Sequence, residues 1–306
     1  MKIHLSPDAP LDVPQTLARY RIWGEDPSNR LHDGVFRRVL QLDGKLHGYA
    51  VRWSGPPDDA RVTITVPNSR SARVAEAVVG EVRRLLFLEA DLPGFYRMAK
   101  SDGVLQGLIA PFYGMRPSLA PTPFEMLVGA ITAQQVNLAF AVTIRGGLVR
   151  RFGRPVSVEG ERVYAFPTPD ALAAARVRDL RRMQFSTRKA EYIIGLARRV
   201  ARGELPFERL ARLPNEQVIA ELTAIRGLGR WTAEWFLARA LGRGDVCPAG
   251  DLAVRKSFAH FYGRGRALSE RAIRRRAAAW GPHQNPAIHY LLAGWRHVRA
   301  QAGGGA

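Results

Sequence analysis

A sharp reversal between two helical segments constrains this chain most strongly. In residues 222–235, helix-forming sequence stands on both sides of Gly227-Leu228-Gly229. Two glycines around one apolar residue let the backbone turn tightly, and they leave bare N–H groups at the start of the second helix. Such a helix start attracts anions. The pattern predicts a helix–hairpin–helix over about residues 215–241 that holds phosphate.

Other glycine motifs do not fit this segment. A dinucleotide fingerprint needs a third glycine and a P-loop needs Gly-Lys-Ser/Thr, and neither follows here. An ordinary turn between two helices remains the alternative. Even a true hairpin predicts only a grip on a nucleic-acid backbone, which many proteins without enzymatic activity also have.

The charge distribution favours DNA as the source of that phosphate. Lys and Arg number 46 against 27 Asp and Glu, a net charge of +19. Residues 1–100 carry 15 basic and 12 acidic side chains, whereas residues 101–306 carry 31 and 15. A G+C-rich genome could explain 41 Arg against 5 Lys, but not the excess of basic over acidic residues. We therefore expect double-stranded DNA as the partner.

Composition excludes several other classes of protein. A hydrophobic content of 46% is enough for a packed core. The single cysteine, Cys247, excludes a disulfide framework, an all-cysteine zinc site and a four-cysteine iron–sulfur cluster. Residues 1–14 show no secretory signal, and polar residues interrupt the most apolar window, 126–144. We expect a cytoplasmic, nucleoid-associated protein with no membrane partner.

The first ninety residues have the pattern of a mixed α+β domain. Residues 13–23 and 71–87 have helical spacing, while residues 61–66 alternate as a strand. Residues 35–42 and 46–53 flank Asp43-Gly44, a strong hairpin signal. We predict a small antiparallel sheet with helices on one face, forming a domain over residues 1–90.

Residues 91–301 change to helices joined by short Pro/Gly turns. The predicted fold class is therefore an α+β domain followed by a mainly α-helical core, and the domain over residues 91–301 is predicted to be all-α. Thr122-Pro123-Phe124-Glu125 is a helix start with the features of a capping box. Thr168-Pro169-Asp170 opens another helix in the same way. Further helices are predicted over residues 186–202, 215–225, 230–241, 269–280 and 286–299. The tail, residues 302–306, is expected to be disordered.

A carboxylate after the hairpin indicates an enzyme. Asp251 stands in Pro248-Ala-Gly-Asp-Leu-Ala-Val-Arg-Lys, 22 residues after Gly229. Here the sequence resembles the helix–hairpin–helix DNA glycosylase superfamily, and within it the bacterial 3-methyladenine DNA glycosylase II branch. The resemblance covers nearly the whole chain and includes, in order, the N-terminal domain, Pro123-Phe-Glu-Met, Ile131-Thr-Ala-Gln-Gln, Phe166-Pro-Thr-Pro, the hairpin and the Asp251 segment.

The resemblance implies that Asp251 is the catalytic residue. A carboxylate beside C1′ stabilises the positive charge that develops on the deoxyribose as a base departs, and it can orient or activate water. Glycosylases that also cut the strand carry a Schiff-base Lys where this chain has Trp231, and Arg230 beside it does not deprotonate. We expect hydrolysis of the N-glycosidic bond without lyase activity. A solvated helix cap is the alternative role for Asp251.

Aromatic residues are candidates for the base pocket. Trp231 and Trp235 lie four residues apart on one helix face. Their ring faces attract a cationic alkylated purine by about 0.5–2 kcal/mol, and such a base leaves without a general acid. The resemblance adds Phe124 to this pocket. Core packing is the alternative for all three.

The resemblance also implies contacts with DNA. An extruded base leaves a gap in the stack, and Gln135, in the Gln134-Gln135 turn, matches the wedge position where the glycosylase II branch carries Leu. Hydrogen bonding at the helix end is the alternative role for this turn. The backbone at the hairpin is implied to hold a phosphate through N–H groups of Gly227, Gly229 and Thr232 beside Arg230, and a structural Na⁺ or K⁺ through carbonyls of Thr223, Ile225 and Leu228.

One segment departs from the family pattern. His283, Gln284 and Asn285 replace the usual aromatic and Arg-Ser, and Leu292 replaces a pocket Trp, so the pocket is expected to be wider or differently shaped. His283 and His289 are six residues apart, which is not metal spacing, and are interpreted as structural.

We predict a monomeric, monofunctional DNA glycosylase that excises alkylated purines of the 3-methyladenine type in base excision repair, with no cofactor beyond the hairpin cation. The alternatives are a glycosylase for oxidised or deaminated bases and a non-catalytic DNA-binding or damage-sensing protein.

Overall fold

An antiparallel sheet and a large set of helices make up the protein in a computed structural model that describes residues 1–303. The sheet has five strands in the order β1-β5-β4-β3-β2. A separate two-stranded sheet pairs β6 with β7. The strands are β1 (Lys2–Leu5), β2 (Asn29–His32), β3 (Val35–Leu42), β4 (Lys45–Ser54), β5 (Arg61–Thr65), β6 (Pro155–Val158) and β7 (Glu161–Tyr164).

Fifteen α-helices occur in the described residues, and all except the first two follow residue 90. None of them is both long and apolar enough to cross a bilayer. The helices are α1 (Val13–Leu17), α2 (Ala72–Leu85), α3 (Leu92–Ala99), α4 (Gly103–Ile109), α5 (Pro123–Ala133), α6 (Leu138–Phe152), α7 (Pro169–Ala173), α8 (Val177–Arg181), α9 (Thr187–Ala201), α10 (Phe207–Leu210), α11 (Asn215–Thr223), α12 (Arg230–Arg239), α13 (Leu252–Phe261), α14 (Glu270–Ala278) and α15 (Gln284–Gly303). Four 3₁₀ helices span Ala18–Tyr20, Pro57–Asp59, Ala110–Phe112 and Gly281–His283.

The predicted fold class is confirmed, and the β3–β4 hairpin has the predicted turn. Asp43 and Gly44 both adopt positive φ, 50° and 72°, as a type I′ turn requires. Helix α2 begins after Ser71, whose side chain accepts the Val74 N–H. Its apolar face is buried with the sheet in one core, which includes Tyr49, Val62 and Ile64 from the strands.

Two short strands were not predicted, and one helix is shorter than predicted. Strands β1 and β2 have four residues each, too few for alternation to be visible, and they gain their partners only by lying along β5 and β3. The helix predicted over residues 13–23 ends as an α-helix at Leu17 and continues as one 3₁₀ turn to Tyr20.

The helical part is not all-α, contrary to the prediction. The β6–β7 hairpin turns through Glu159 and Gly160, which have φ of 50° and 82°. Its Val158 and Val163 share a core with Val39 of β3 and other residues of the main sheet. Strands β4 and β6 approach each other closely, because a Cβ on Gly48 would lie 2.5 Å from the Val158 side chain. The hairpin therefore joins the helical part to the N-terminal sheet.

The start of α5 is the predicted one, with half of its capping box. Thr122 accepts the Glu125 N–H at 3.1 Å, but the Glu125 carboxylate does not return to the cap. It receives hydrogen bonds from Asn29, Arg38 and Arg145 at 2.8, 2.8 and 2.6 Å. Glu125 is only 4% exposed. A buried ionic network thus fixes α5 to the N-terminal sheet.

Asp26 completes this network. Burial alone would raise the pKa of Asp26, but the ion pair with Arg145 outweighs it and lowers the pKa well below its usual range. The predicted domain boundary near residue 90 stays a prediction. The packing of the β6–β7 hairpin on the main sheet and the Glu125 network both cross it. Helix α15 includes residues 302 and 303, and the rest of the predicted disordered tail, 304–306, lies outside the described residues.

Candidate active site at the helix–hairpin–helix

The hairpin joins α11 to α12, and its two glycines serve different purposes. Gly227 has φ of +97°, and a Cβ there would lie 2.3 Å from the Tyr192 ring, so both conformation and space require glycine. Gly229 has φ of −103°, and a Cβ at this position would meet nothing within 4 Å. Its lack of a side chain leaves open space before α12, where a phosphate could approach the backbone.

The N–H groups predicted to hold phosphate are not used within the fold. Among residues 1–303, no backbone carbonyl accepts from Gly227, Gly229 or Thr232. These are the orphan donors expected before and within the first turn of a helix. Their arrangement suits an anion, and the phosphate contact stays a prediction.

Arg230 is less free than the sequence suggested. Its Nη2 lies 2.8 Å from Glu216 and its Nε 2.9 Å from the buried Glu234. Two carboxylates therefore hold the guanidinium against the protein, and it has less capacity for a DNA phosphate than an unpaired Arg.

The predicted wedge turn lies beside the hairpin. Gln134 ends α5, and its side-chain Nε2 donates to the Gly227 carbonyl at 2.9 Å. Gln135 follows with φ of +54° and is exposed. Lys189 of α9 also binds this region through the Thr132 carbonyl at 2.9 Å. Gln134 thus has the hydrogen-bonding role that was the alternative, while Gln135 has a side chain free to meet DNA.

Asp251 is the N-cap of α13 and accepts four hydrogen bonds. Its Oδ1 accepts the N–H groups of Ala253 at 2.8 Å and Val254 at 3.0 Å. Its Oδ2 accepts the indole N–H groups of Trp231 at 2.8 Å and Trp235 at 3.1 Å. The cap role and a catalytic role are therefore compatible, because the cap uses one oxygen and the tryptophans orient the other.

The indole contacts are the feature that sequence reasoning missed. Spacing correctly placed Trp231 and Trp235 on one face of α12, and they were interpreted as pocket walls. The face is directed at Asp251, so both tryptophans also position a carboxylate. The sequence shows two indole N–H donors four residues apart and an acidic residue further along the chain. Nothing in it indicates that the donors and the carboxylate are in contact.

The two tryptophans differ in their surroundings. Trp231 is partly exposed, whereas Trp235 is 7% exposed. The Arg239 guanidinium lies 5.1 Å from the centre of the Trp235 ring, and the His289 ring packs edge-on at 5.9 Å. Since a protein cation already occupies a face of Trp235, Trp231 is the better candidate for stacking on a charged base.

The other pocket candidate lies deeper. Phe124 is 6% exposed and packs edge-on against Phe166, with ring centres 6.3 Å apart. This is the core packing weighed as its alternative role. Leu292, which the resemblance aligned with a pocket Trp, is 9% exposed.

The described residues contain neither a metal-binding cluster nor a reactive thiol that could form a second site. No group of three or more His, Cys, Asp or Glu side chains could hold a metal ion within residues 1–303. Cys247 is buried, and burial raises the pKa of its thiol to about 12. The Asp251 carboxylate beside the hairpin is the candidate site, and its catalytic role stays a prediction.

Comparison with known proteins identifies the family. The profile of the HhH-GPD superfamily base excision DNA repair protein matches residues 128–283. The chain belongs to this superfamily. The match contains α11, the hairpin, α12 and Asp251, whereas Phe124 and Leu292 lie outside it. It confirms the predicted superfamily.

Relatives extend the match to the N-terminal sheet. A protein named DNA-3-methyladenine glycosylase from Bacillus subtilis is 33% identical over 221 residues, covering 72% of each chain. DNA-3-methyladenine glycosylase 2 from Escherichia coli is 29% identical and covers 86% of this chain and 88% of its own. The solved structure of a 3-methyladenine DNA glycosylase from Archaeoglobus fulgidus superposes with a TM-score of 0.85 at 30% identity, covering 96% and 98%. The predicted branch is thereby confirmed.

Proposed function

We propose that this HhH-GPD protein is a monofunctional DNA glycosylase that hydrolyses the N-glycosidic bond of alkylated purines of the 3-methyladenine type. The observation that carries the proposal is the Asp251 carboxylate, held by two backbone and two indole N–H groups close to the hairpin whose free N–H groups suit a phosphate. The names of the similar proteins support the same activity.

DNA binding follows from charge and backbone. The excess of positive charge lies after residue 100, where the hairpin also lies. Phosphates would be held by the free N–H groups at the start of α12, and Gln135 would enter the gap left by the extruded nucleotide. Extrusion costs a few kcal/mol and is cheapest at a damaged pair.

Bond cleavage relies on fixed charge. As the alkylated purine departs with the bonding electron pair, positive charge develops at C1′, and the Asp251 carboxylate stabilises it. Water then adds to C1′ and loses a proton, which leaves an abasic site. A cationic purine leaves as a neutral base and needs no acid, and the Trp231 ring face supplies its binding.

The proposed absence of lyase activity rests on the lack of a lysine amine among the groups that contact Asp251. Strand cleavage needs an amine that attacks C1′. Trp231 occupies the position implied for that amine, and all four hydrogen bonds to Asp251 come from N–H groups of other residue types. Lys189 is directed to the Thr132 carbonyl.

The hairpin carbonyls fit a monovalent cation. Within residues 1–303, no backbone N–H donates to Thr223 or Leu228 oxygen, and Ile225 accepts one, from Leu228 at 3.0 Å. Three carbonyl oxygens with spare lone pairs suit Na⁺ or K⁺, which would stabilise the turn. Duplex affinity measured in K⁺, Na⁺ and a bulky organic cation at equal ionic strength tests this.

Base release and strand cutting can be tested together. Methylated DNA is incubated with the full chain, free bases are separated by chromatography, and strands are run before and after alkali. We expect free 3-methyladenine and strand breaks only after alkali. Borohydride added during the reaction should trap no covalent complex, and a trapped complex would refute the monofunctional assignment.

Sedimentation of the enzyme with and without a duplex tests the proposed monomer, and co-purification with nucleoid DNA tests its proposed place in the cytoplasm.

A further inference from the structure

Leu138 is an exposed apolar side chain next to the turn that contains Gln135. It is the first residue of α6, and it is 44% exposed. Within residues 1–303, the other large apolar side chains that are exposed are Ile22 and Leu252. Leu252 directly follows Asp251, so two of these three side chains adjoin the candidate active site. A single exposed leucine is ordinary. What distinguishes Leu138 is the turn that carries it.

Hydrogen bonds fix this turn beside the helix–hairpin–helix. At its start, the Gln134 side chain donates to the Gly227 carbonyl at 2.9 Å. At its end, Asn137 caps α6, because its Oδ1 accepts the Phe140 N–H at 2.8 Å. Both polar side chains are therefore used within the protein. The turn has a fixed position next to the hairpin whose free N–H groups suit a phosphate.

Gln135 and Leu138 are the large side chains of this segment that remain exposed. Three residues of chain separate their Cα atoms by no more than about 11 Å, which is about the length of three base-pair steps. The φ of Gln135 is +54°, a conformation that costs energy in a residue other than glycine and that is concentrated at functional sites. The segment thus presents one polar and one apolar side chain within reach of the same few base pairs.

The charge of the surrounding chain suits DNA. Residues 126–158, which include the turn and the whole of α6, contain four Arg and no Asp or Glu. This segment therefore brings no negative side chain of its own to a phosphate backbone. DNA also supplies an apolar surface, because an opened base step exposes the faces of its bases.

We propose that Leu138 is an apolar wedge that inserts at the base step beside the extruded nucleotide, while Gln135 enters the gap itself. Proteins that kink a duplex through its minor groove often insert Leu or another apolar side chain between base steps. Extrusion leaves base faces without stacking partners, and Leu138 would cover one of them. The Gln135 amide can hydrogen-bond to the base that has lost its partner. The inference rests on the proposed glycosylase function and adds a positioning residue to it.

A phosphate explains the exposure of Leu138 less well. An aliphatic side chain has no donor for a phosphate oxygen, whereas contacts to the DNA backbone come from charged and polar side chains and from N–H groups. Base faces and sugars are the apolar parts of DNA. Of these, the base faces become available only when a nucleotide leaves the stack, which is the state that a glycosylase must stabilise.

Duplexes with and without a preformed gap test the inference. The affinity of the full chain is measured for an intact duplex and for the same sequence with a tetrahydrofuran abasic analogue at one position. We define the gap preference as the ratio of the two dissociation constants, intact over abasic. Leu138→Ser should lower the gap preference by about three- to tenfold, because nearly half of the leucine surface is left to be buried by DNA.

Two variants control for the apolar side chain and for its position. Leu138→Met keeps an apolar side chain of similar volume and should retain the gap preference within about twofold. Ile22→Ser is the matched control, since Ile22 is 42% exposed but belongs to the N-terminal part, and it should leave the gap preference unchanged. A loss in either control as large as in Leu138→Ser would overturn the inference.

Leu138→Lys distinguishes a base step from a phosphate. A lysine near phosphate strengthens binding to both duplexes and makes the dependence of log affinity on log salt steeper by about 0.9. If residue 138 enters the stack, this variant should lower the gap preference as Leu138→Ser does. Tighter binding to both duplexes with an unchanged gap preference would place the side chain at the backbone and overturn the inference.

The remaining outcomes separate the inference from the proposed function. A wild type without a gap preference, or a Leu138→Ser variant that keeps it, overturns the inference and leaves the proposed function intact. Equal loss of affinity for both duplexes also overturns it, because a wedge acts only where the stack is open. Failure of the wild type to release any base from methylated DNA would refute the proposed function, whatever the gap preference.

Discussion

Replacing Trp235 with Phe removes one N–H donor from Asp251 and keeps an aromatic ring in the same place. The bond it removes is 3.1 Å long and joins a side chain that is 7% exposed to a carboxylate. Hydrogen bonds to charged groups contribute about 1.5–3 kcal/mol, and each 1.36 kcal/mol corresponds to about tenfold in rate. If this bond holds the carboxylate in its productive orientation, base release should slow by about 10- to 150-fold.

A double-mutant cycle shows whether the effect passes through the carboxylate. Trp235→Phe is made both in the wild type and in Asp251→Asn, and single-turnover release of 3-methyladenine is measured in all four proteins. Residues that act through one group are strongly non-additive. We expect Trp235→Phe to slow the wild type as above and to change the Asp251→Asn rate by less than about threefold.

Trp280 provides the matched control. Its Nε1 donates to the buried Asp102 at 3.2 Å, and the side chain is 3% exposed. Trp280→Phe is therefore the same chemical change at a carboxylate outside the site. It should lower the unfolding temperature but leave base release unchanged. A Trp235→Phe enzyme as active as the wild type, or one slowed equally in both backgrounds, would refute the positioning role.

Three further predictions concern the fold. Gly227→Ala places a Cβ against the Tyr192 ring at positive φ and should lower the free energy of unfolding in urea by about 1–3 kcal/mol. Gly229→Ala meets open space and should cost less than about 1 kcal/mol, so equal losses would contradict the account of the hairpin. The Asp26 pKa is lowered in the folded state, so the ionised carboxylate contributes stability above the unfolded pKa of about 4, and this contribution is lost as the pH falls below that value. The difference in the free energy of unfolding between wild type and Asp26→Asn should therefore shrink from pH 6 to pH 2. A constant difference would count against the ion pair. Burial raises the Cys247 pKa to about 12, so iodoacetamide at pH 8 should modify the thiol only after unfolding, and rapid modification of the native protein would show that it is accessible.

Local signals in the sequence were sufficient to predict the structure of a segment wherever that structure depends only on the segment's own residues. Thr122 and Ser186 cap the helices they were predicted to start, and Gly227 turns the chain as predicted, because caps and positive φ depend on a few neighbouring residues. The short β6 and β7 strands were missed because four residues do not establish a period and their stability comes from the distant β3 and β4.

The site was predictable in its parts but not in its contacts. Asp251 and the two tryptophans were identified separately, from the family pattern and from helical spacing. Their hydrogen bonds depend on how α12 and α13 pack, which no local pattern encodes.

Asp251→Asn tests the central claim most directly, with two quantities measured on one protein. Asn keeps the size of the side chain and removes its charge, so duplex affinity should stay within about threefold of the wild type. Single-turnover release of 3-methyladenine should fall by about 10²- to 10³-fold or more. Unchanged base release in this variant, with the fold intact, would contradict the assignment of Asp251 as the catalytic carboxylate.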